Sequence, residues 1–288
     1  MKIKKSTTLL TFSILLALAS CKQQTKTVEV EEPGTIQVVS SEPAYNTDEP
    51  QTILAAIEYA HGGWGDLWKK ADVQYTYNYV SADGKADIST ERYVFDTEAS
   101  FGKYDRHEIN VMPGTEGEVV QYFNGKETVV MHKGQKVEDP QVLGAGDFLR
   151  RANYFWFVMP YKLNDTGTIA SYIGQEEYNG KTYDKINVTY DPEITGKEQN
   201  DIYILYVNPE TKLIDRFYFS LPFLGVNEPL LIADYEYENV EGQLLATKRT
   251  YFLPDEKGAY GEEPSLVQTL TNISFNNGFT PESIMEVN

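Results

Sequence analysis

The sequence has little of what most enzyme sites and disulfide scaffolds require. Its 288 residues include one cysteine and three histidines, and acidic residues outnumber basic ones by 43 to 25. A single cysteine excludes a disulfide bond within the chain. The formal net charge of −18 disfavours binding to nucleic acid or to anionic lipid head groups.

The sequence motifs of common catalytic sites are also missing. There is no Gly-x-Ser-x-Gly nucleophile elbow and no glycine-rich phosphate loop, and the three histidines, His61, His107 and His132, do not have zinc-ligand spacing. Paired carboxylates such as Glu176-Glu177 and Glu262-Glu263 are expected in so acidic a chain and more often form solvated surfaces than acid–base pairs. The sequence therefore predicts a protein that is not an enzyme and needs no cofactor or metal. A hydrolase with an unrecognised carboxylate site is the alternative.

The first 21 residues have the pattern of a bacterial lipoprotein signal. Three lysines precede the apolar run Leu9–Leu18, which is about half the length that a membrane-spanning helix needs. Leu18-Ala19-Ser20-Cys21 then resembles the lipobox of prolipoproteins. We predict a signal peptide over residues 1–20 and lipidation of Cys21, and the alternative is an ordinary signal peptide with an incidental cysteine. Cleavage would leave 22 basic and 43 acidic residues, a net charge of −21.

Three segments are predicted from these patterns. Residues 21–47 are polar and rich in breakers, which is typical of a flexible tether, and residues 48–288 form a single domain because no second linker or repeat divides them. Two or three acyl chains on Cys21 would hold the protein on a bilayer. The predicted location is the cell envelope, on the outer membrane and facing the periplasm.

Hydrophobic periodicity predicts one helix at the start of the domain and mostly strands after it. Asp48 and Gln51 have capping-box spacing, and His61-Gly62-Gly63 is a helix stop. From Val73 the pattern alternates with a period of two, and turn signals such as Asn124-Gly125 separate later segments. About a dozen short strands in a large antiparallel meander are expected.

Two apolar segments interrupt the strand pattern. Residues 140–159 read as a helix with a wide apolar face, closed by Pro160, and residues 221–231 read as an apolar loop between strands. The helix is either plain core or a lid whose aromatic side chains face a ligand. The loop either folds inward or rims a binding mouth.

A family resemblance rests on several phrases of the sequence. The sequence resembles the LolA/LolB-like lipoprotein carriers in its lipobox and in three further segments. These are His61-Gly62-Gly63-Trp64, Phe155-Trp156-Phe157-Val158-Met159-Pro160 and Tyr203-Ile204-Leu205-Tyr206-Val207. The likeness is greatest to an uncharacterised group of Gram-negative, flavobacterial-type lipoproteins. The resemblance implies a mainly β (α+β) fold, an open antiparallel half-barrel of about eleven strands with helices covering its concave face. It also implies a ligand such as an acyl chain or other lipid.

The predicted binding residues follow from both arguments. Tyr75, Tyr77 and Tyr79, or the opposite face of their strand, would line the cavity, and Phe148, Leu149, Phe155 and Trp156 would cover it. In the competing interpretation the same aromatic residues fill a solid core. A second hypothesis is an envelope protein-interaction or stress-sensor module that binds a partner protein through a sheet edge or through residues 221–230.

Overall fold

A computed structural model describes residues 42–285 of the chain. The predicted signal peptide, the lipidation of Cys21 and residues 21–41 of the predicted tether lie outside the described residues. Contacts with the domain begin before residue 48, because the Tyr45 hydroxyl donates a hydrogen bond of 2.7 Å to Asp184 and its ring packs against the core.

Thirteen strands form one antiparallel sheet in the described part of the chain. Their bounds are β1 Asp72–Ser81, β2 Ala86–Val94, β3 Ala99–His107, β4 Val119–Phe123, β5 Thr128–His132, β6 Gln135–Lys136, β7 Thr168–Tyr178, β8 Lys181–Tyr190, β9 Tyr203–Val207, β10 Ile214–Leu221, β11 Val226–Val240, β12 Gln243–Phe252 and β13 Leu266–Phe275. The helices are α1 Pro50–Ala60, α2 Trp64–Trp68, α3 Pro140–Lys162 and α4 Pro192–Thr195, and a 3₁₀ turn spans Pro222–Leu224.

The strand order explains why a helix covers the sheet. The order is β6-β5-β4-β3-β2-β1-β13-β12-β11-β10-β9-β8-β7, so the first strand pairs with the last and the two edges are β6 and β7. Those edge strands are consecutive in sequence, and α3 is the segment between them. The 23 residues of α3 span roughly 35 Å, enough to cross the sheet from one edge toward the other. The predicted fold class, an open and mainly β half-barrel with a helix on one face, is confirmed.

The structure corrects several details of the prediction. The sheet has thirteen strands rather than about eleven. The N-cap of α1 is Glu49, without a side-chain cap, and Gln51 instead donates to the carbonyl of Thr168, so the predicted capping box is wrong. Pro160 lies inside α3, which continues to Lys162. Pro160 has no backbone N–H to donate to the carbonyl four residues earlier, so one intrahelical hydrogen bond is absent there. The predicted apolar loop is also shorter, because β11 begins at Val226.

The core follows from alternation along the strands. In β1 the side chains of Val73, Tyr75 and Tyr77 are buried while Gln74, Thr76 and Asn78 are only partly so. Buried residues of β8 to β12 pack with Ile53, Leu54 and Ile57 of α1 and with Met159 of α3. Among residues 42–285, no helix combines the length and apolar character needed to cross a membrane.

His61, the residue that ends α1, is buried with an incomplete set of hydrogen bonds. Its Nδ1 lies 2.7 Å from the carbonyl oxygen of Ile57, whereas Nε2 has no partner among the described residues. The rings of Tyr161 and Tyr237 meet the imidazole edge-on. Burial lowers the pKa of His61 from about 6.5 to about 4, an effect that its bond to Ile57 only partly opposes.

The stability of the domain should therefore fall in weak acid. In the fold His61 stays neutral down to about pH 4, whereas the unfolded chain takes up a proton near pH 6.5. Proton uptake by the unfolded state alone is expected to lower the free energy of unfolding by about 3 kcal/mol across that window. Urea denaturation at pH 7 and pH 4 should show this loss, and His61→Leu should reduce it by that amount. His132→Leu, a surface substitution, is the control. An identical pH dependence in His61→Leu would contradict the assignment.

Candidate functional site

Helix α3 packs tightly against the first half of the sheet, strands β1 to β6. The ring of Phe157 stacks on Tyr75, with centroids 5.3 Å apart, and meets Tyr93 edge-on at 5.5 Å. The hydroxyls of Tyr75 and Tyr93 lie 2.7 Å apart and share a hydrogen bond. Tyr77 is buried beside them. On this side of α3, aromatic rings fill the space between helix and sheet.

Tyr79 and Leu149 border a small void between α3 and the sheet. About 20 Å³ is enclosed by Tyr77, Tyr79, Asp87, Tyr104, Asn110, Val111, Leu149 and Asn153. That volume is the size of one water molecule. The void can hold a water molecule but not a hydrocarbon chain.

A buried ion pair fixes α3 on this half of the sheet. Nη1 and Nη2 of Arg150 donate to the carboxylate of Glu91 on β2, at 2.7 and 3.2 Å, and Nη2 also donates to the Tyr104 hydroxyl. Both charged side chains are fully buried. Burial opposes the charged guanidinium, but Glu91 and then Tyr104 outweigh it and raise the pKa of Arg150. A Cβ on Gly102 would lie 2.4 Å from Nη1, so only glycine leaves room for this pair.

An open cleft lies on the other side of α3, against the second half of the sheet, strands β7 to β13. Its volume is about 500 Å³, within the range of small-ligand sites. The lining residues are Gly144, Asp147, Phe148, Arg151, Ala152, Phe155, Trp156, Lys162, Asp165, Thr166, Tyr190, Thr195, Lys197, Asn200, Asp201, Tyr203, Leu221 and Phe223.

One end of the cleft is aromatic. Phe148 of α3 stacks on Phe223 of the 3₁₀ turn, with centroids 3.9 Å apart and planes within 3°. Phe223 is 57% exposed even so, which places this ring pair at the surface. Deeper in, Trp156 stacks on Phe217 of β10 at 5.7 Å and meets Tyr203 of β9 edge-on. Apolar walls therefore run from the Phe148–Phe223 pair to Tyr203.

The opposite end of the cleft is polar. The order β10-β9-β8-β7 places Leu221, Tyr203, Tyr190 and the segment before Thr168 at one end of the sheet, where Tyr203 pairs with Val188 and Tyr190 pairs with Thr168. The side toward β7 therefore carries Tyr190 with Asp165 and Thr166, and Asp201 precedes β9. The Tyr190 hydroxyl is buried and has no hydrogen-bond partner among residues 42–285. The cleft is thus apolar at one end and polar at the other, which suits an amphiphilic ligand.

The structure divides the sequence-predicted binding residues into two groups. Phe148, Phe155 and Trp156 come together in the cleft. The others, Tyr75, Tyr77, Tyr79 and Leu149, face the packed half of the interior or its water-sized void. The assignment of a ligand to any of them stays a prediction.

Several lining residues were not predicted. The apolar segment that begins at Leu221 was a signal for Leu221 and Phe223, since apolar loops rim binding sites. No sequence signal singles out Tyr190, Asp201 or Tyr203, because β8 and β9 read as ordinary strands. Only the strand order brings them beneath α3.

Two of the strand carboxylates lie in surface ion pairs. Glu176 accepts from Lys185 at 2.7 Å and Glu236 accepts from Lys248 at 2.6 Å, each across neighbouring strands. Among residues 42–285 there is no group of three or more His, Cys, Asp or Glu side chains that could hold a metal ion.

Comparisons with known proteins support the fold and leave the activity open. A family of unknown function (DUF6503) matches residues 120–227, less than half of the chain. No protein with a curated description matches this chain. A crystal structure of a DUF1329 family protein from Desulfovibrio piger is similar at 13% identity with a TM-score of 0.50, and the match covers 85% of this chain and 98% of that one. A LolA superfamily protein from Nitrosomonas europaea matches at 12% identity with a TM-score of 0.44, over 76% of this chain and 96% of that one. At these identities the matches show a likeness of fold alone, and a member of the LolA superfamily, which the sequence resembles, is among the structures matched.

Proposed function

We propose that this chain is a membrane-anchored periplasmic lipoprotein that binds an acyl chain or similar apolar ligand, without catalysis. The observation that carries the proposal is the open cleft of about 500 Å³ between α3 and the second half of the sheet. Its aromatic walls would remove a hydrocarbon chain from water, which contributes about 0.8 kcal/mol for each buried methylene.

The two halves of the interior have different roles in this proposal. The first half holds α3 in place through the Phe157 contacts and the Arg150–Glu91 pair. The second half offers the unfilled space. A ligand would therefore bind to a largely pre-formed site, which limits the entropy lost on association. Lipidation of Cys21 would keep the site close to the membrane from which an apolar ligand comes.

Replacing Cys21 by serine tests anchor and ligand in one experiment. Without the acyl chains, the full chain is expected in the soluble periplasmic fraction. Native mass spectrometry and organic extraction of that protein should then reveal a stoichiometric lipid. If Cys21→Ser stays in the membrane fraction, the anchor assignment is wrong. A soluble, folded protein with no extractable lipid and no affinity for apolar probes would contradict the binding function.

The edge of β7 that pairs with no further strand in residues 42–285 favours a second candidate function, a module that binds an envelope protein. Within residues 42–285 this strand pairs only with β8, and Ile169 and Ile173 are each close to half exposed on it. Extended peptides add to such edges. A partner that copurifies with the unmodified protein and is lost in Ile173→Lys, together with an empty cleft, would support this function over lipid binding.

A further inference from the structure

The polar end of the cleft has more negative than positive charge available to a ligand. Three bases line the cleft, and two of them have partners of their own. Arg151 lies 3.0 Å from Asp147, and Lys162 pairs with Glu98, which is outside the lining. Lys162 is also 3.8 Å from Asp165. Lys197 is exposed and forms no ion pair within the described residues.

Asp165 and Asp201 are the two carboxylates at this end. Asp201 is partly buried, and its carboxylate has no hydrogen-bond donor or ion-pair partner among residues 42–285. Burial raises the pKa of both groups, and nearby lysines only partly oppose it. Asp165 is about half exposed and is 3.8 Å from Lys162, whereas Asp201 lacks the donors that a buried carboxylate normally has.

The Tyr190 hydroxyl is an independent sign of an unfilled polar site. It lines the same end of the cleft, it is buried, and it has no partner within residues 42–285. Buried polar groups are nearly always hydrogen-bonded, so this hydroxyl without a partner, beside the partnerless Asp201 carboxylate, indicates that a bound molecule completes their hydrogen bonds. A positively charged hydrogen-bond donor would complement the two carboxylates and the Tyr190 hydroxyl.

We propose that the cleft selects an amphiphile with an amine-bearing head group, held by Asp165, Asp201 and the Tyr190 hydroxyl, with its alkyl chain between Trp156 and the Phe148–Phe223 pair. This inference rests on the proposed function, because it names the class of ligand for the same cleft. An alkylammonium head donates up to three hydrogen bonds and brings the missing positive charge. A carboxylate head would face two like charges instead.

Three probes with the same chain separate the head group from the tail. Dodecylamine, dodecanol and dodecanoate are titrated at pH 7 into the full chain carrying Cys21→Ser. Dodecylamine is expected to bind at least tenfold more tightly than dodecanoate, with dodecanol between them. In Tyr190→Phe the affinity for dodecylamine should fall severalfold, while that for dodecanol changes less.

Matched charge removals distinguish a site from the general acidity of the protein. The double variant Asp165→Asn/Asp201→Asn should lose the preference for the amine and keep its melting temperature, because Asp165 is about half exposed and Asp201 has no partner within residues 42–285. Glu262→Gln/Glu263→Gln removes two exposed charges and should keep the preference. Equal or tighter binding of dodecanoate, or a preference that survives in the aspartate variant, would overturn the head-group inference and leave lipid binding intact. Failure of all three probes to bind would overturn both.

Discussion

Arg150→Met is expected to lower the free energy of unfolding by about 3–5 kcal/mol. Removing the guanidinium leaves the Glu91 carboxylate buried with, among the described residues, only the Ser89 and Tyr93 hydroxyls as donors, at 2.7 and 3.2 Å. An uncompensated buried charge is among the costliest defects in a protein interior. Urea denaturation with an unchanged m-value would report the loss as a lower midpoint.

Two further variants show whether the cost comes from the stranded charge. Adding Glu91→Gln to Arg150→Met should recover more than half of the lost stability, since the amide carries no charge. Arg151→Met, at the next position of α3, removes a largely exposed ion pair to Asp147 and should cost under about 1 kcal/mol. Similar losses in Arg150→Met and Arg151→Met would show that the buried pair does not hold the helix as described.

Ala152→Trp is expected to abolish binding of apolar ligands with little effect on stability. Ala152 lines the cleft beside Phe148 and Phe155, so an indole at this position would occupy the space for a chain. The affinity for N-phenyl-1-naphthylamine, a neutral apolar fluorophore, should fall at least tenfold. The melting temperature should change by about 2 °C or less, as is usual for a change outside the packed core.

Ala145→Trp is the matched control for this prediction. Ala145 lies on the same helix and is partly exposed, but it is not part of the lining. Its substitution should leave fluorophore binding within about twofold of the unmodified protein. Undiminished binding in Ala152→Trp would show that the cleft is not the ligand site, and equal losses in both variants would point to a general effect on α3.

The two halves of the interior explain why the sequence alone left the role of the aromatic helix open. Phe157 and Trp156 are neighbours on α3 and read alike as apolar helix residues. Phe157 is surrounded by Tyr75, Tyr93 and Phe95 and is buried, whereas Trp156 stacks on Phe217 and also borders the cleft. The core interpretation and the lid interpretation thus describe opposite sides of one helix.

The alternation of polar and apolar residues determined most of the strands. β1 has the alternation that the sequence predicts from Val73, since side-chain burial in a sheet depends on a period of two that is visible locally. The first helix and its stop at His61 were determined in the same way. These features depend on neighbours within about ten residues, and such information is present in any single sequence.

The pairing of distant strands was decided only in the tertiary structure. The register of β1 with β13, some two hundred residues apart, makes β6 and β7 the edges and sends α3 across the sheet. That crossing brings Arg150 onto Glu91, Phe148 onto Phe223, and Asp165 and Tyr190 to one end of a cleft. A local pattern cannot specify which distant side chains meet, because many pairings bury the same apolar faces equally well, and close packing selects among them.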